Sequence, residues 1–365
     1  LPGGGVRFTV WAPAAQRVAV RVDDGDPAAD HALARDADGV WSAVVASARA
    51  GADYQFVLDG GPALPDPASR WQPHDVHGPS RVVDPAGFAW TDAAWRGRAM
   101  ADYVIYELHV GTFSEAGTFD GAIPHLAGLA ELGVTAIELM PVAEFPGGRN
   151  WGYDGVQLYA PESAYGGPEA LRRLVDAAHA AGLAVVLDVV YNHFGPEGNY
   201  LGAYGPYVTG EARTPWGDAV NYGGAQSAEV RRFAIENALY WVTEFHADGL
   251  RLDAIHGIVD ASEPHLLAEL VARVQRQASA LGRTVCLIAE SDMNDPKVVR
   301  PAAEGGYGFD AQWSDDFHHA VHVALTGETG GYYGGFGAPG LIAAALRDPF
   351  VRPARAPGAP DAPWA

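Results

Sequence analysis

The sequence predicts an α/β fold: a (β/α)8-type TIM barrel, with about six of its eight strands present, preceded by a small all-β sandwich. Three observations carry this reading. Up to about residue 95, short runs alternate apolar and polar side chains between turn residues, the period of half-buried strands. Beyond it, apolar runs of strand length alternate with longer helical stretches, as in a parallel sheet with helical crossovers. Polar residues then gather at the C-terminal ends of successive strand runs, where the active face of such a barrel lies.

The first domain is expected over residues 1–95. Val6-Arg7-Phe8-Thr9-Val10-Trp11 and Arg17-Val18-Ala19-Val20-Arg21-Val22 alternate, split by the breaker Ala12-Pro13-Ala14, and residues 40–45 and 54–58 repeat the pattern. Strands at this spacing suit an antiparallel sandwich, which either binds sugars or packs on its neighbour. A Pro-rich connector from Gly61 to Arg98, holding Trp71, Trp90 and Trp95, leads out of it.

The second domain is expected over residues 96–365. Its strands are read at 103–110, 134–140, 183–190, from Gly249, at 285–289 and around 309–313. The helical stretches between and after them are 119–132, 168–181, 228–245, 264–281 and 316–325. A doubly wound nucleotide fold would place a glycine-rich phosphate turn after the first strand. Gly111-Thr112-Phe113-Ser114 stands there instead, so a barrel is preferred and no cofactor is expected.

Composition narrows the function classes. A hydrophobic fraction of 48% and ten Trp can fill a sizeable core. Net charge is −21, from 45 acidic and 24 basic residues, and Lys297 is the single lysine. With no basic run, neither a nucleic acid nor an anionic membrane is the expected partner. A neutral substrate fits better. Cys286 is the single cysteine, which leaves no disulfide framework and no thiolate metal site. No apolar run of spanning length and no signal peptide occur, and the expected location is cytoplasmic. An upstream leader stays open, because the chain starts at Leu1 rather than Met.

The chemistry centres on Gly249-Leu250-Arg251-Leu252-Asp253-Ala254-Ile255-His256. Residues two apart on a strand share a face, so Arg251 and Asp253 point the same way. Taken alone, the octapeptide reads equally well as a structural ion pair. The other strand ends decide against that: Glu107 and His109, then Asp188, Asn192 and His193, then Glu290, Ser291 and Asp292. Asp253 and Glu290 on adjacent strand ends suit a retaining glycosidase, whose two carboxyl groups stand about 5–5.5 Å apart. Neighbouring strands lie roughly 4.8 Å apart, so the spacing needs no special geometry. His193 and His256 lack a third metal ligand at zinc spacing and an HExxH run, so contacts to sugar hydroxyls are preferred and no metal is expected. Of the loop aromatics, Tyr153 and Trp216 are the best candidates to stack on a pyranose ring.

DVVYNH (188–193), GLRLDAIH (249–256) and IAES (288–291) resemble the first three signature regions of the α-amylase superfamily, in order. The resemblance implies Asp253 as nucleophile, Glu290 as general acid/base and Arg251 as electrostatic partner. It also implies that Asp188, His193 and Tyr153 line the subsite of the attacked sugar. Within the superfamily, HVGTFSEAGTF (109–119), NWGYDGV (150–156), HFGPEGNYL (193–201), AESDMNDPK (289–297) and WSDDFHH (313–319) are similar to the malto-oligosyltrehalose trehalohydrolases. That implies an α-glucan substrate, maltooligosyltrehalose, cut at the α-1,4 bond next to its terminal trehalose. His256 and Trp216 are expected to bind it. Asp315, Asp316, His318 and His319 either recognise the trehalose end or form a packed strand-to-helix turn. A branching or debranching enzyme, or a binding barrel without turnover, is the alternative. The superfamily's third carboxylate follows the seventh strand in an Asn-His-Asp run, which does not occur here. Strands seven and eight are therefore expected beyond Ala365. Asp310, Asp315 and Asp316 are poor substitutes, since they follow strand six.

Overall fold

A computed structural model describes residues 1, 4–23, 29–348 and 350–352; the Pro/Ala-rich run from 353 onward lies outside the described residues. Two antiparallel sheets form first. Val6–Trp11 pairs with Val40–Val45, which pairs with Ala34–Arg35. The second sheet runs Ala29–Ala32, Val18–Asp23, Asp53–Leu58, Ala63–Leu64. Strand alternation buries Phe8 and Val10 from one sheet and Val18, Val20, Val22, Tyr54 and Phe56 from the other. Their shared core includes a Phe8–Tyr54 ring contact at 4.8 Å.

The expected parallel sheet follows. Its strands are β1 (Ile105–Leu108), β2 (Ala136–Leu139), β3 (Ala184–Val189), β4 (Gly249–Leu252), β5 (Cys286–Glu290) and β6 (Ala311–Trp313). Each pairs in parallel with the strand before it in sequence. Among the described residues the sheet has these six strands, a curled part of a (β/α)8 barrel. Every residue of β3 is buried, as a strand covered on both faces requires. Helices α1 (Leu126–Leu132), α2 (Gly167–Ala180), α3 (Ser227–Glu244), α4 (Leu266–Leu281) and α5 (Asp315–Thr326) accompany it. In α2 the buried set Leu171, Leu174, Val175 and Ala178 follows the i, i+3, i+4, i+7 spacing of one helix face.

Two elements differ from expectation. The single helix read over 119–132 is broken: Phe119–Ala122, a 3-10 turn Ile123–His125, then α1. Pro124, lacking an N–H, sits in that turn and forces the break. The strand read over 103–110 shortens to β1, and Val110–Phe113 is already helical.

The connector is tied to the barrel by a buried polar network. His179 of α2 bonds Asp92 through Nδ1 and Asp248 through Nε2, both at 2.8 Å. Trp95 Nε1 donates to Asp248 at 2.7 Å, Arg283 Nη2 at 3.0 Å, and the Val185 amide, on β3, at 2.9 Å. Trp95 stacks on His179 and Trp90 on His246, which also bonds Asp92. Burial pushes the Asp92 carboxyl up, but the His246 and His179 imidazoles outweigh it and hold it below its ordinary value.

Asp248→Ala strands His179, Trp95 and Arg283 together, so it should cost about 3–5 kcal/mol in urea unfolding followed by Trp fluorescence. A loss below about 1 kcal/mol would mean that the network does not anchor the connector.

Candidate functional site

Strand register assembles the site. Asp188 pairs with Arg251, and Glu290 with Trp313, so side chains from β3, β4, β5 and β6 meet on one face. Arg251 Nη1 donates to Asp188 Oδ1 and Oδ2 at 3.0 and 3.1 Å and to Asp253 Oδ1 at 2.8 Å. Its Nη2 lies 3.9 Å from Glu290 Oε2. Asp253 and Glu290 keep 13% and 21% of their side chains exposed while Asp188 keeps none, so the first two are the ones a ligand can reach.

The backbone after Asp253 links the two reachable carboxylates. Ala254 has φ +38°, a left-handed conformation that costs a residue with a Cβ. That turn aims its amide at Glu290 Oε2, 2.6 Å away. Asn192 Nδ2 donates to both the carbonyl and Oδ2 of Asp253 at 2.8 Å. Asp253 thus takes one donor on each carboxylate oxygen, which fixes its plane.

Around this centre, Tyr153 Oη donates to Asp188 Oδ2 at 2.9 Å. His193 Nε2 lies 2.9 Å from the Tyr153 carbonyl, and its Nδ1 bonds the Asn192 side chain. Trp216, 43% exposed, stacks on His193 at 5.4 Å and leans on His256 at 5.9 Å. The loop that presents Tyr153 is held from below by His109, whose Nε2 meets the Asn150 carbonyl at 2.7 Å. Two glycines let it fold back. A Cβ on Gly152 (φ +102°) would lie 2.1 Å from the Pro141 carbonyl oxygen, and one on Gly195 2.0 Å from that of Asp154.

Burial raises the Asp188 carboxyl from 3.8 to about 7; Arg251 opposes this and the Asp253 charge adds to it. Arg251 is raised as well: burial lowers it, but its neighbours Asp188, Glu290 and Asp253 outweigh burial and keep it charged. Burial lowers His193, with the Tyr153 carbonyl and the charges of Asp253 and Asp154 opposing it.

Eight residues expected at the site are therefore contiguous: Tyr153, Asp188, His193, Trp216, Arg251, Asp253, His256 and Glu290. Asp316 and His318 are not among them. Asp316 is fully buried, with Oδ1 taken by Arg352 Nε at 2.7 Å and Oδ2 by Asn294 Nδ2 and the Arg352 amide at 2.9 Å, so no substrate contact is open to it. His318 is exposed on α5 with His319 and His322 as its ring neighbours. The strand-to-helix turn is the reading that fits Asp316. Asn192 is read from the sequence only as one of the polar strand-end residues, with no role given to it, and Ala254 and the interior Glu138 are not expected as site residues. Asn192 stands beside His193, and Glu138 is a charge inside an apolar strand run, but Ala254 carries no signal in the sequence. Among the described residues no group of three or more His, Cys, Asp or Glu could hold a metal ion, and no helix is long and apolar enough to cross a membrane.

Comparison with known proteins places this geometry. Residues 84–205 match the family described as alpha amylase, catalytic domain, and residues 2–71 match carbohydrate-binding module 48 (isoamylase N-terminal domain). The chain is 54% identical to a malto-oligosyltrehalose trehalohydrolase of Arthrobacter ramosus over 92% of its own length, and 48% identical to that of Saccharolobus solfataricus over 95%. The chain belongs to the α-amylase superfamily. A crystal structure of an α-amylase-like protein from Salmonella typhimurium overlays 93% of this chain and 57% of its own, with TM-score 0.85 and 46% identity. This α-amylase-superfamily chain spans 58% and 60% of the lengths of the two trehalohydrolases.

The raised Asp188 carboxyl makes the fold hold a proton that the unfolded chain releases between pH 3.8 and about 7. Its stabilising contribution is complete below pH 3.8 and is lost as pH rises to about 7. Urea midpoints of the wild type should therefore fall across that window more steeply than those of Asp188→Asn; parallel curves would contradict the assignment.

Proposed function

We propose that this protein is a retaining glycoside hydrolase that cuts the α-1,4 bond next to the terminal trehalose of maltooligosyltrehalose. The carrying observation is the Asp253–Glu290 pair, reachable from solvent and joined through the Ala254 amide beside one guanidinium. The similarity to two trehalohydrolases over more than nine-tenths of the chain supports the substrate.

In this reading Asp253 Oδ attacks the anomeric carbon of the maltooligosaccharide part. The C1–O4 bond to trehalose breaks as Glu290 gives its proton to that oxygen, and trehalose leaves. Glu290 then takes a proton from water, whose oxygen displaces Asp253 and frees the maltooligosaccharide. Arg251 and Asn192 hold the Asp253 carboxylate in its attacking plane. Tyr153 and His193 bind the hydroxyls of the attacked sugar, Asp188 lines the subsite from beneath by holding Arg251 and the Tyr153 hydroxyl, and Trp216 with His256 forms the wall beyond them. No cofactor or metal enters. A cytoplasmic location belongs to the same reading, in keeping with a free, buried Cys286.

Chromatography of products from maltotriosyltrehalose tests the proposal on the intact protein. The wild type should release trehalose. Asp253→Asn should lose about 10⁴-fold in kcat, and Glu290→Gln about 10²–10⁴-fold. New α-1,6 links in place of trehalose would make it a branching enzyme, and activity near wild type in either variant would remove the assigned roles.

A further inference from the structure

Beneath the site lies a carboxyl that the proposed mechanism does not use. Glu138 of β2 pairs in register with Glu107 on β1 and Val186 on β3. Val186 is two residues before Asp188, so Glu138 lies on the same interior face, one layer below it. It is fully buried, and neither carboxyl oxygen has a hydrogen-bond partner. Arg251 Nε is likewise buried and without a partner, while Nη1 and Nη2 face Asp188, Asp253 and Glu290. Two orphaned groups of opposite character thus share one small interior.

We propose that Glu138 is a positioning residue for Arg251: as a neutral acid it leaves the guanidinium to Asp188 and Asp253, and its ionisation draws the guanidinium down and frees Asp253. The proposal rests on Asp253 being the nucleophile.

The physical reason is competition for one cation. A charged carboxylate without donors is costly to bury, so Glu138 keeps its proton. Burial, with the charges of Asp188 and Glu107 adding and Arg251 opposing, raises it to about 8. The charged or titratable groups facing it are Glu107 on β1, Asp188 on β3 and Arg251 on β4, with the Tyr153 hydroxyl beyond Asp188. Below about pH 8 the Glu138 carboxyl, still protonated, does not compete for the guanidinium. Above it, a negative charge appears in the interior that also holds the orphaned Nε, and the hydrogen bond to Asp253 Oδ1 is the one that can be given up. Asp188 keeps its place through two contacts and the Tyr153 hydroxyl. Asp253 then retains Asn192 but loses its orienting charge.

The test follows kcat against pH for trehalose release by the intact protein, with an infrared measurement that needs no turnover. Glu138→Ala should lower kcat about tenfold at neutral pH with KM little changed, and Glu138→Gln should restore it. In Glu138→Gln the alkaline fall of kcat should move up by about one pH unit or more. The protonated-carboxyl absorption present at neutral pH should lose one component in Glu138→Gln. An unshifted alkaline limb in Glu138→Gln overturns the proposal, as does an infrared spectrum identical to that of the wild type. Asp253→Asn separates the two claims. If that variant keeps its activity, the reading of the site fails; if it is silent while the Glu138→Gln profile is unchanged, only the Glu138 inference fails.

Discussion

Everything at the barrel mouth depends on the Arg251 guanidinium. It is the one cation set among Asp188, Asp253 and Glu290, and it bonds the first two directly. A buried carboxylate such as Asp188 is tolerable only with a partner of opposite charge. The guanidinium is the suitable partner, because its planar fork can serve several oxygens at once without losing its proton. Strand register delivers it: a slip of one residue between β3 and β4 would turn Arg251 and Asp253 to the helix-covered face. The all-buried β3 makes such a slip prohibitive, since each of its side chains already fills a place on one face or the other.

The loops are held as firmly as the strands. Tyr153 reaches Asp188 because His109 grips the Asn150 carbonyl and because Gly152 and Gly195 allow close backbone contact. The N-terminal sheets are part of the same support. Trp11 packs edge-on against Tyr207, and Tyr204 donates to the Pro65 carbonyl at 2.7 Å, so the segment after β3 is clamped between the two β-rich layers. At the opposite, N-terminal end of the strands, Asp248 and His179 fasten the connector under β3 and β4. Catalytic geometry in a barrel of this kind needs such outer constraints, because side chains at strand ends gain precision only from what surrounds them.

The six strands and most helices could be read from the sequence to within two residues at each end, because long apolar runs leave one period open. The break at Pro124 was also written there; it was missed because the apolar period continues on both sides of the proline. At the site, motif and register led to Asp188, Arg251, Asp253 and Glu290. What stayed hidden depends on tertiary neighbours. Asp315 and Asp316 are adjacent and chemically identical, yet Asp316 is locked by Arg352, thirty-six residues away, while Asp315 is half-buried. Glu138 was hidden for a different reason. In Ala136-Ile137-Glu138-Leu139 it shows the same charge-in-strand signal as Arg251, but no motif follows it.

One guanidinium among so many carboxyls raises the question of how the cluster holds together. The answer lies in depth. Burial raises Asp188 to about 7 and Glu138 to about 8, and Asp315, beside Glu290 and Asp292, to about 7. These groups therefore retain protons near neutrality, and the negative charge of the cluster is smaller than its formal count. The titrations of Asp188 and Glu138 are linked through Arg251, so the proton lost from one makes that of the other harder to lose, while Asp315 answers to Arg352. Such a site has an alkaline limit besides the one its general acid imposes: as the deeper acids ionise, the guanidinium is divided among more partners. For the proposed reaction on a neutral sugar, which brings no compensating charge, that division falls wholly on the protein. The working range of the site is then set in part by carboxyls that never touch the substrate.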